Sequence, residues 1–330
     1  MSKFAVFDTK PYDEEVLRRA VQNENITFKF FDTKLSADTA GLARGCDGAV
    51  IFVNDKADAE CLEKLAEEKV GFLALRCAGF NNVDLAAAKR CGIRVARVPA
   101  YSPHAVAEHA MALLLCSLRR IHKAYIRTRD FNFSLNGLCG FDLYGKTVGV
   151  VGTGKIGRAF ISICRGFGMK VIAFDRYPAK DTDIEYVTLS ELFRRADIIS
   201  LHCPLTPETE YMINAQSIAE MKKGVFIINT SRGMLIDSDA LIEGIKEKKI
   251  GAACLDVYEE ESDLFFEDNS GHILQDDTLA RLISMPNVIL TSHQGFLTSD
   301  ALENIASDTV KNIKEYLVGG KIENELLLSE

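Results

Sequence analysis

The sequence predicts an α/β fold made of two parallel-sheet domains. Three observations lead there. The chain has 330 residues, more than one hydrophobic core usually organises. Short β-branched apolar runs alternate with amphipathic helical runs from end to end, the pattern of parallel strands covered on both faces. A glycine-rich strand-to-helix turn begins only at Gly152, so a whole α/β unit precedes it.

Composition narrows the function. Hydrophobic residues make up 47% and charged residues 26%, ordinary values for a globular protein. A net charge of −8 and the lack of a basic block argue against nucleic-acid binding. Any anionic substrate must therefore be caught by local cations. No signal-peptide pattern or membrane-length apolar run is found. A cytoplasmic protein without membrane contact is expected. The nine cysteines are scattered, with no Cys-x-x-Cys pair, which fits reduced thiols and no metal site. Cys77 and Cys203 read as small buried residues rather than catalysts.

The first unit opens with the strand Lys3-Phe4-Ala5-Val6-Phe7. A helix with Val16, Leu17, Ala20 and Val21 on one face follows. Further strands are expected at Ile26 to Phe30, Gly48 to Val53, Phe72 to Leu75 and Val95 to Val98. Pro99 and Pro103 then punctuate the chain before a long apolar helix from His104 to Leu115. Its apolar majority predicts burial. Later strands are expected at Ile198 to Leu201, Val225 to Asn229, Ala252 to Leu255 and Val288 to Thr291. The final helix, Ser299 to Leu317, carries Ala301, Ile305, Ala306, Val310 and Ile313 on one side. It is expected to return to the first domain. The domains are therefore residues 1–100 with 297–330, and an inserted 101–296.

The mid-chain turn is the most informative segment. The strand Val148 to Val151 runs into Gly152-Thr153-Gly154-Lys155-Ile156-Gly157 and then a helix. A second strand, Lys170 to Phe174, ends on Asp175. This is the dinucleotide-binding fingerprint in its full Rossmann-like context. The glycines permit a tight turn and close backbone approach, and the helix N-terminus offers N–H groups to a pyrophosphate. Asp175 can accept hydrogen bonds from the adenosine ribose and would repel a 2′-phosphate, so NAD rather than NADP is expected.

One motif is a decoy. Gly140 to Thr147 matches the phosphate-loop pattern letter for letter. That motif must open a helix, whereas Lys146-Thr147 should open a strand.

Chemistry beside a nicotinamide needs a cation for a carboxylate and a proton donor. Loops at the carboxyl ends of the strands should carry them. Arg232 follows the strand ending at Asn229 and offers a bidentate fork. His293 follows the strand ending at Thr291 and is the natural acid near neutral pH. A carboxylate in the run Glu259-Glu260-Glu261 could keep that acid loaded; residue type alone does not choose among the three. His104, His109 and His122 lie on or beside a helix and read as structural. His202 precedes Cys203-Pro204, a loop expected to lie along the adenosine.

Five segments occur in order: Arg76 to Asp84, the Gly152 fingerprint, Asn229 to Gly233, Asp256 to Glu261 and Ser292 to Gln294. Val98 to Pro103, Arg127 to Asp130, Asn132-Phe133 and Asp263 to Asp268 extend the likeness over nearly the whole chain. The sequence resembles the D-isomer-specific 2-hydroxyacid dehydrogenases. Within them it is most similar to the fermentative, NAD-dependent D-lactate dehydrogenases of bacteria.

The resemblance implies a flavodoxin-like substrate domain interrupted by the NAD domain, with a cleft that closes over substrate. It implies that pyruvate is reduced to D-lactate; the D-configuration rests on it alone. Arg232 would bind the substrate carboxylate and carbonyl, His293 would donate the proton, and Glu261 would be its partner. Amides around Ala78 and Gly79 would hold the carboxylate. Tyr101 would border the substrate, and Tyr101, Phe296 and Tyr12 would line the part of the pocket that separates pyruvate from bulkier 2-oxo acids. Gly152, Gly154, Lys155, Ile156, Gly157, Asp175, Cys203, Pro204, Thr209, Thr230, Ser231, Arg232 and Asp256 would line NAD. A dimer or tetramer is implied as well. Two other readings fit the same frame: a dehydrogenase for bulkier 2-oxo acids such as 2-oxoisocaproate or phenylpyruvate, and a nucleotide-sensing corepressor-like protein, since fold alone does not fix function.

Overall fold

The computed structural model describes residues 1–180, 182–261 and 264–327. The chain divides into two compact units, Met1–Ser102 with Phe296–Glu330, and Pro103–Gly295.

The first unit begins β1 (Ser2–Val6), α1 (Pro11–Ala20), β2 (Ile26–Phe30), β3 (Gly48–Ile51), α2 (Ala59–Glu67), β4 (Phe72–Leu75), α3 (Leu85–Arg90) and β5 (Arg94–Arg97). All pairings are parallel, in the order β2-β1-β3-β4-β5. Helix starts follow local chemistry. Pro11 sets the first turn of α1, with Asp13 and Glu14 near its N-terminus and Arg18 and Arg19 near its end, matching the helix dipole. Asp58 and Asp84 cap α2 and α3 by accepting from Cys61 N (3.0 Å) and Ala87 N (2.9 Å).

The second unit contains α4 (Pro103–Leu118), α5 (Ile121–Arg129), β6 (Thr147–Val151), α6 (Lys155–Gly166), β7 (Lys170–Phe174), β8 (Glu185–Tyr186), α7 (Leu189–Arg195), β9 (Ile198–Leu201), α8 (Ala215–Glu220), β10 (Val225–Asn229), α9 (Ser238–Lys246), β11 (Ile250–Leu255), α10 (Asp277–Ser284) and β12 (Val288–Leu290). Its parallel sheet runs β12-β11-β10-β9-β6-β7-β8. The order reverses between β6 and β9, which is the switch point where such sheets bind ligands. Apolar side chains cover both faces. Leu192, Ile213, Leu241 and Leu282 pack on one, and Ala110, Leu114, Phe160 and Cys164 on the other. The β8 strand has only two residues, too short to show a period. The phosphate-loop look-alike ends in β6 rather than in a helix.

After Gly295 the chain returns to the first unit. Helix α11 (Ser299–Val318) starts at Thr298, which accepts from Ala301 N (3.2 Å), and stops at Gly319 with φ +76°. Its Ala306, Val310 and Ile313 join Phe4, Leu17, Val50 and Phe72 in the core. Tyr101, Ser102 and Phe296 belong to this unit rather than to the inserted one. The reason is packing: the Phe296 ring lies 5.5 Å from Phe52 and 6.3 Å from Tyr101.

A buried ion pair ties the carboxyl edge of the first sheet to α1. Arg76, 2% exposed, donates to Asp13 Oδ1 (3.0 Å) and to the carbonyls of Asp8 (2.6 Å) and Phe7 (3.4 Å). Its guanidinium lies 4.2 Å from the centre of the Phe52 ring. Burial pushes the Asp13 carboxyl up and Arg76 opposes it. Removing one partner leaves a charge without compensation in a dry site. Asp13→Ala is therefore expected to cost about 3–5 kcal/mol in denaturant unfolding. An unchanged midpoint and slope would show that Arg76 finds solvent.

Candidate active site

The glycine turn is built by exclusion. Gly152 has φ +92°, and a side chain there would meet His202 O at 2.6 Å. A side chain at Gly157 would collide with Gly152 O. Gly154, by contrast, has no described residue's atom within 4 Å of where its Cβ would be. The backbone is thus open at the first turn of α6, beside exposed Lys155 and half-buried Ile156. An anion fits there against free helix N–H groups.

Asp175 is anchored before any ligand arrives. Its Oδ2 accepts from Thr153 N (2.6 Å) and Thr153 Oγ1 (2.8 Å), and Oδ1 from Tyr177 N (2.8 Å). Burial raises its pKa, but these bonds and Arg158 outweigh it and hold the carboxyl below its usual range. A carboxylate offers about four acceptor positions. Three are taken, which leaves one on Oδ1 rather than the symmetric pair expected for both ribose hydroxyls.

The neighbouring loops have defined tasks. His202 bonds Ser200 Oγ (2.8 Å) and packs 4.9 Å from Phe160. Desolvation lowers its pKa, so it stays neutral and structural. Burial raises the Cys203 thiol to about 11, which rules out a thiolate at neutral pH. Thr209 donates to Pro204 O (2.8 Å) and accepts from Thr206 N (2.8 Å), bracing that loop. Ser231 Oγ donates to Cys203 O (2.6 Å). Thr230 is 8% exposed, yet its hydroxyl has no hydrogen-bond partner among the described residues. Buried polar groups are normally paired, so this hydroxyl suits a ligand polar group.

Arg232, Glu261 and His293 follow β10, β11 and β12, three successive neighbours in the sheet. Asn229 shapes the first loop, donating to Arg232 O (2.8 Å) and accepting from Ser231 N (3.0 Å). Gly233 lies so close to the Tyr258–Glu259 peptide that any side chain would clash, which joins the first loop to the second. Arg232 gives one N–H to Ser231 O (2.6 Å). It has five donors, and no carboxylate among the described residues pairs with it. Glu259 is held by Ser238 and Tyr211 and Glu260 is exposed. Glu261 alone of the three reaches His293, with Oε1 2.8 Å from Nδ1, while Oε2 accepts from Tyr258 N (3.1 Å). A carboxylate only accepts, so Nδ1 carries the hydrogen and Nε2 is left for chemistry.

Residue patterns did not disclose how the His293 loop is held. His293 has φ +53°, a strained value for a residue with a side chain. Asp256, 1% exposed, supports it. The Asp256 carbonyl accepts from His293 N (2.7 Å). Its carboxylate accepts from Thr291 Oγ1 (2.5 Å), Gln294 N (2.9 Å) and Gly295 N (2.7 Å), and contacts His109 Nε2 (3.2 Å). Burial raises the Asp256 pKa, but the bonds from His109 and Thr291 and the nearby His109 and His293 charges bring it below the usual range. A lone acid after a strand and a histidine mid-helix carry no sequence signal that they meet.

In the first unit, Ala78 and Gly79 follow Arg76 on the loop after β4. Tyr12 is half-buried, and burial raises its phenol to about 12. Asp263, within one segment of the resemblance, lies outside the described residues.

Fold and loop chemistry together define a nicotinamide-dependent oxidoreductase. Comparison with known proteins narrows this. Residues 111–295 match the family model described as D-isomer specific 2-hydroxyacid dehydrogenase, NAD binding domain. The chain is 52% identical over 328 residues to a D-lactate dehydrogenase of Escherichia coli (strain K12), covering 98% of this chain and 100% of that one. Its fold matches an apo-structure of D-lactate dehydrogenase from Escherichia coli with TM-score 0.90 and 49% identity, covering 98% and 100% of the two chains. It matches the pyruvate reductase of Chlamydomonas reinhardtii with TM-score 0.92 and 45% identity, covering 98% of each. The chain belongs to the D-isomer-specific 2-hydroxyacid dehydrogenases, and its cofactor is NAD.

The Asp175 geometry makes a specific demand. Asp175→Ala is expected to raise the KM for NADH about tenfold, the worth of one charged hydrogen bond at the low end of its range. It should also narrow the preference over NADPH. If the native enzyme uses NADPH equally well, Asp175 does not select the cofactor.

Proposed function

We propose that the protein reduces pyruvate to D-lactate with NADH. The observation that carries this reading is the Glu261–His293 pair at 2.8 Å, in loops of the same sheet edge as the glycine turn and Arg232. The D-lactate dehydrogenases and pyruvate reductase to which the chain is similar support it.

NADH supplies a hydride to the carbonyl carbon. His293 Nε2 gives its proton to the carbonyl oxygen, and the Glu261 carboxylate holds Nδ1–H. Arg232 grips the carboxylate and carbonyl with its fork, and amides at Ala78 and Gly79 hold the carboxylate. Tyr101 and Phe296 border the substrate methyl. Gly152, Gly154, Lys155, Ile156 and Gly157 take the pyrophosphate and Asp175 the ribose. Cys203, Pro204, Thr209, Thr230 and Ser231 line the rest of NAD. Asp256, whose oxygens are already claimed, serves the nicotinamide end through the Thr291–Gly295 segment that it places.

We also propose a cytoplasmic, fermentative homo-oligomer. All nine cysteines are unbridged, which suits a reducing compartment. Ile121, Tyr125, Ile126, Phe131 and Phe133 are exposed on α5 and just beyond it. Such a patch marks an interaction surface. Sedimentation should give at least a dimer; a monomer at micromolar concentration would remove that part.

A panel of 2-oxo acids assayed with NADH tests the function. Pyruvate should have the highest kcat/KM, and a clear preference for phenylpyruvate or 2-oxoisocaproate would replace the lactate reading. His293→Ala should lower kcat by roughly 10²–10⁴ with the fold intact, the usual worth of a placed acid. An unchanged kcat would remove His293 from the mechanism.

A further inference from the structure

We propose that Arg97 is a positioning residue that aims the amides of the Ala78–Phe80 segment at an anion. The proposal rests on reading the protein as an oxo-acid reductase whose substrate carboxylate meets this segment. Arg97 ends β5, and its NH1 donates to Ala78 O at 2.7 Å. Its guanidinium lies 5.1 Å from the centre of the Phe80 ring. Among the described residues it makes no ion pair with a carboxylate. A cation that forgoes a carboxylate for one carbonyl and one ring is doing something other than neutralising charge.

The next carbonyl is held as well, because Cys77 Sγ donates to Gly79 O at 3.2 Å. In a trans peptide the carbonyl and the following N–H point in opposite directions, and no peptide bond here is cis. Each carbonyl is held by its own donor, so the N–H groups of Gly79 and Phe80 point away from Arg97 Nη1 and Cys77 Sγ respectively. Among the described residues, no backbone carbonyl accepts from the N–H of Ala78, Gly79 or Phe80. Successive unclaimed N–H groups form an anion-binding concavity. The charged bond at Ala78 O also polarises that peptide and makes its N–H a stronger donor. Arg97 can do this without strain on its own strand. Its backbone N donates to Asn324 O (3.2 Å) and its carbonyl accepts from Asn312 Nδ2 (3.0 Å).

The test compares Arg97→Met and Arg97→Lys with the native enzyme in the full chain. Arg97→Met should raise the KM for pyruvate and the inhibition constant of oxamate, a carboxylate analogue, by roughly 10-fold. The KM for NADH and the thermal midpoint should stay nearly constant. Arg97→Lys keeps one donor and should recover part of the loss. A merely structural role would lower the midpoint and move both KM values together, and that outcome overturns the proposal. So does an unchanged pyruvate KM in Arg97→Met. If the native enzyme reduces no 2-oxo acid, the underlying reading fails instead, and wild-type turnover alone shows which has happened.

Discussion

The reactive edge of the second unit depends on the buried carboxylate of Asp256. Ionised and almost sealed from water, it needs donors on every side. They come from Thr291, Gln294, Gly295 and His109, so that satisfying one charge fixes the end of β12 against the end of β11 and against α4. The left-handed backbone at His293 persists because these bonds over-determine it. The imidazole therefore meets Glu261 in one orientation. The same logic holds in the first unit, where the buried Arg76 guanidinium gathers Asp13 and two carbonyls at the start of the Ala78–Gly79 loop.

Much of this was legible in the residues. Parallel strands buried on both faces show as continuous apolar runs, so most strands were placed to within two residues. The fingerprint was readable because its constraint is local: only glycine fits at 152 and 157. Arg232 and His293 stood out because reactive side chains directly follow strands.

What escaped reading was long-range. The meeting of His109 with Asp256 spans much of the second unit, and no spacing rule predicts it. Glu259, Glu260 and Glu261 are the same residue type in a row, and residue type does not choose among them; the resemblance pointed to Glu261, and in the fold Ser238 and Tyr211 hold Glu259 while Glu261 meets His293. Arg97 lies in a strand, and nothing local to it shows that its guanidinium meets a carbonyl 19 residues away. Phe296 sits beside a motif of one unit and packs in the other, because Phe52 and Tyr101 offer it an aromatic neighbourhood.

The bonding around Asp175 bears on protein engineering. Its carboxylate is also the acceptor for the amide and hydroxyl of Thr153, inside the glycine turn itself. A redesign that only swaps the acid for a neutral or basic residue leaves two donors stranded in the glycine turn. If Asp175 sets the dinucleotide preference as proposed, changing that preference is a coupled problem at 153 and 175, and libraries that vary both positions together address it where single substitutions do not.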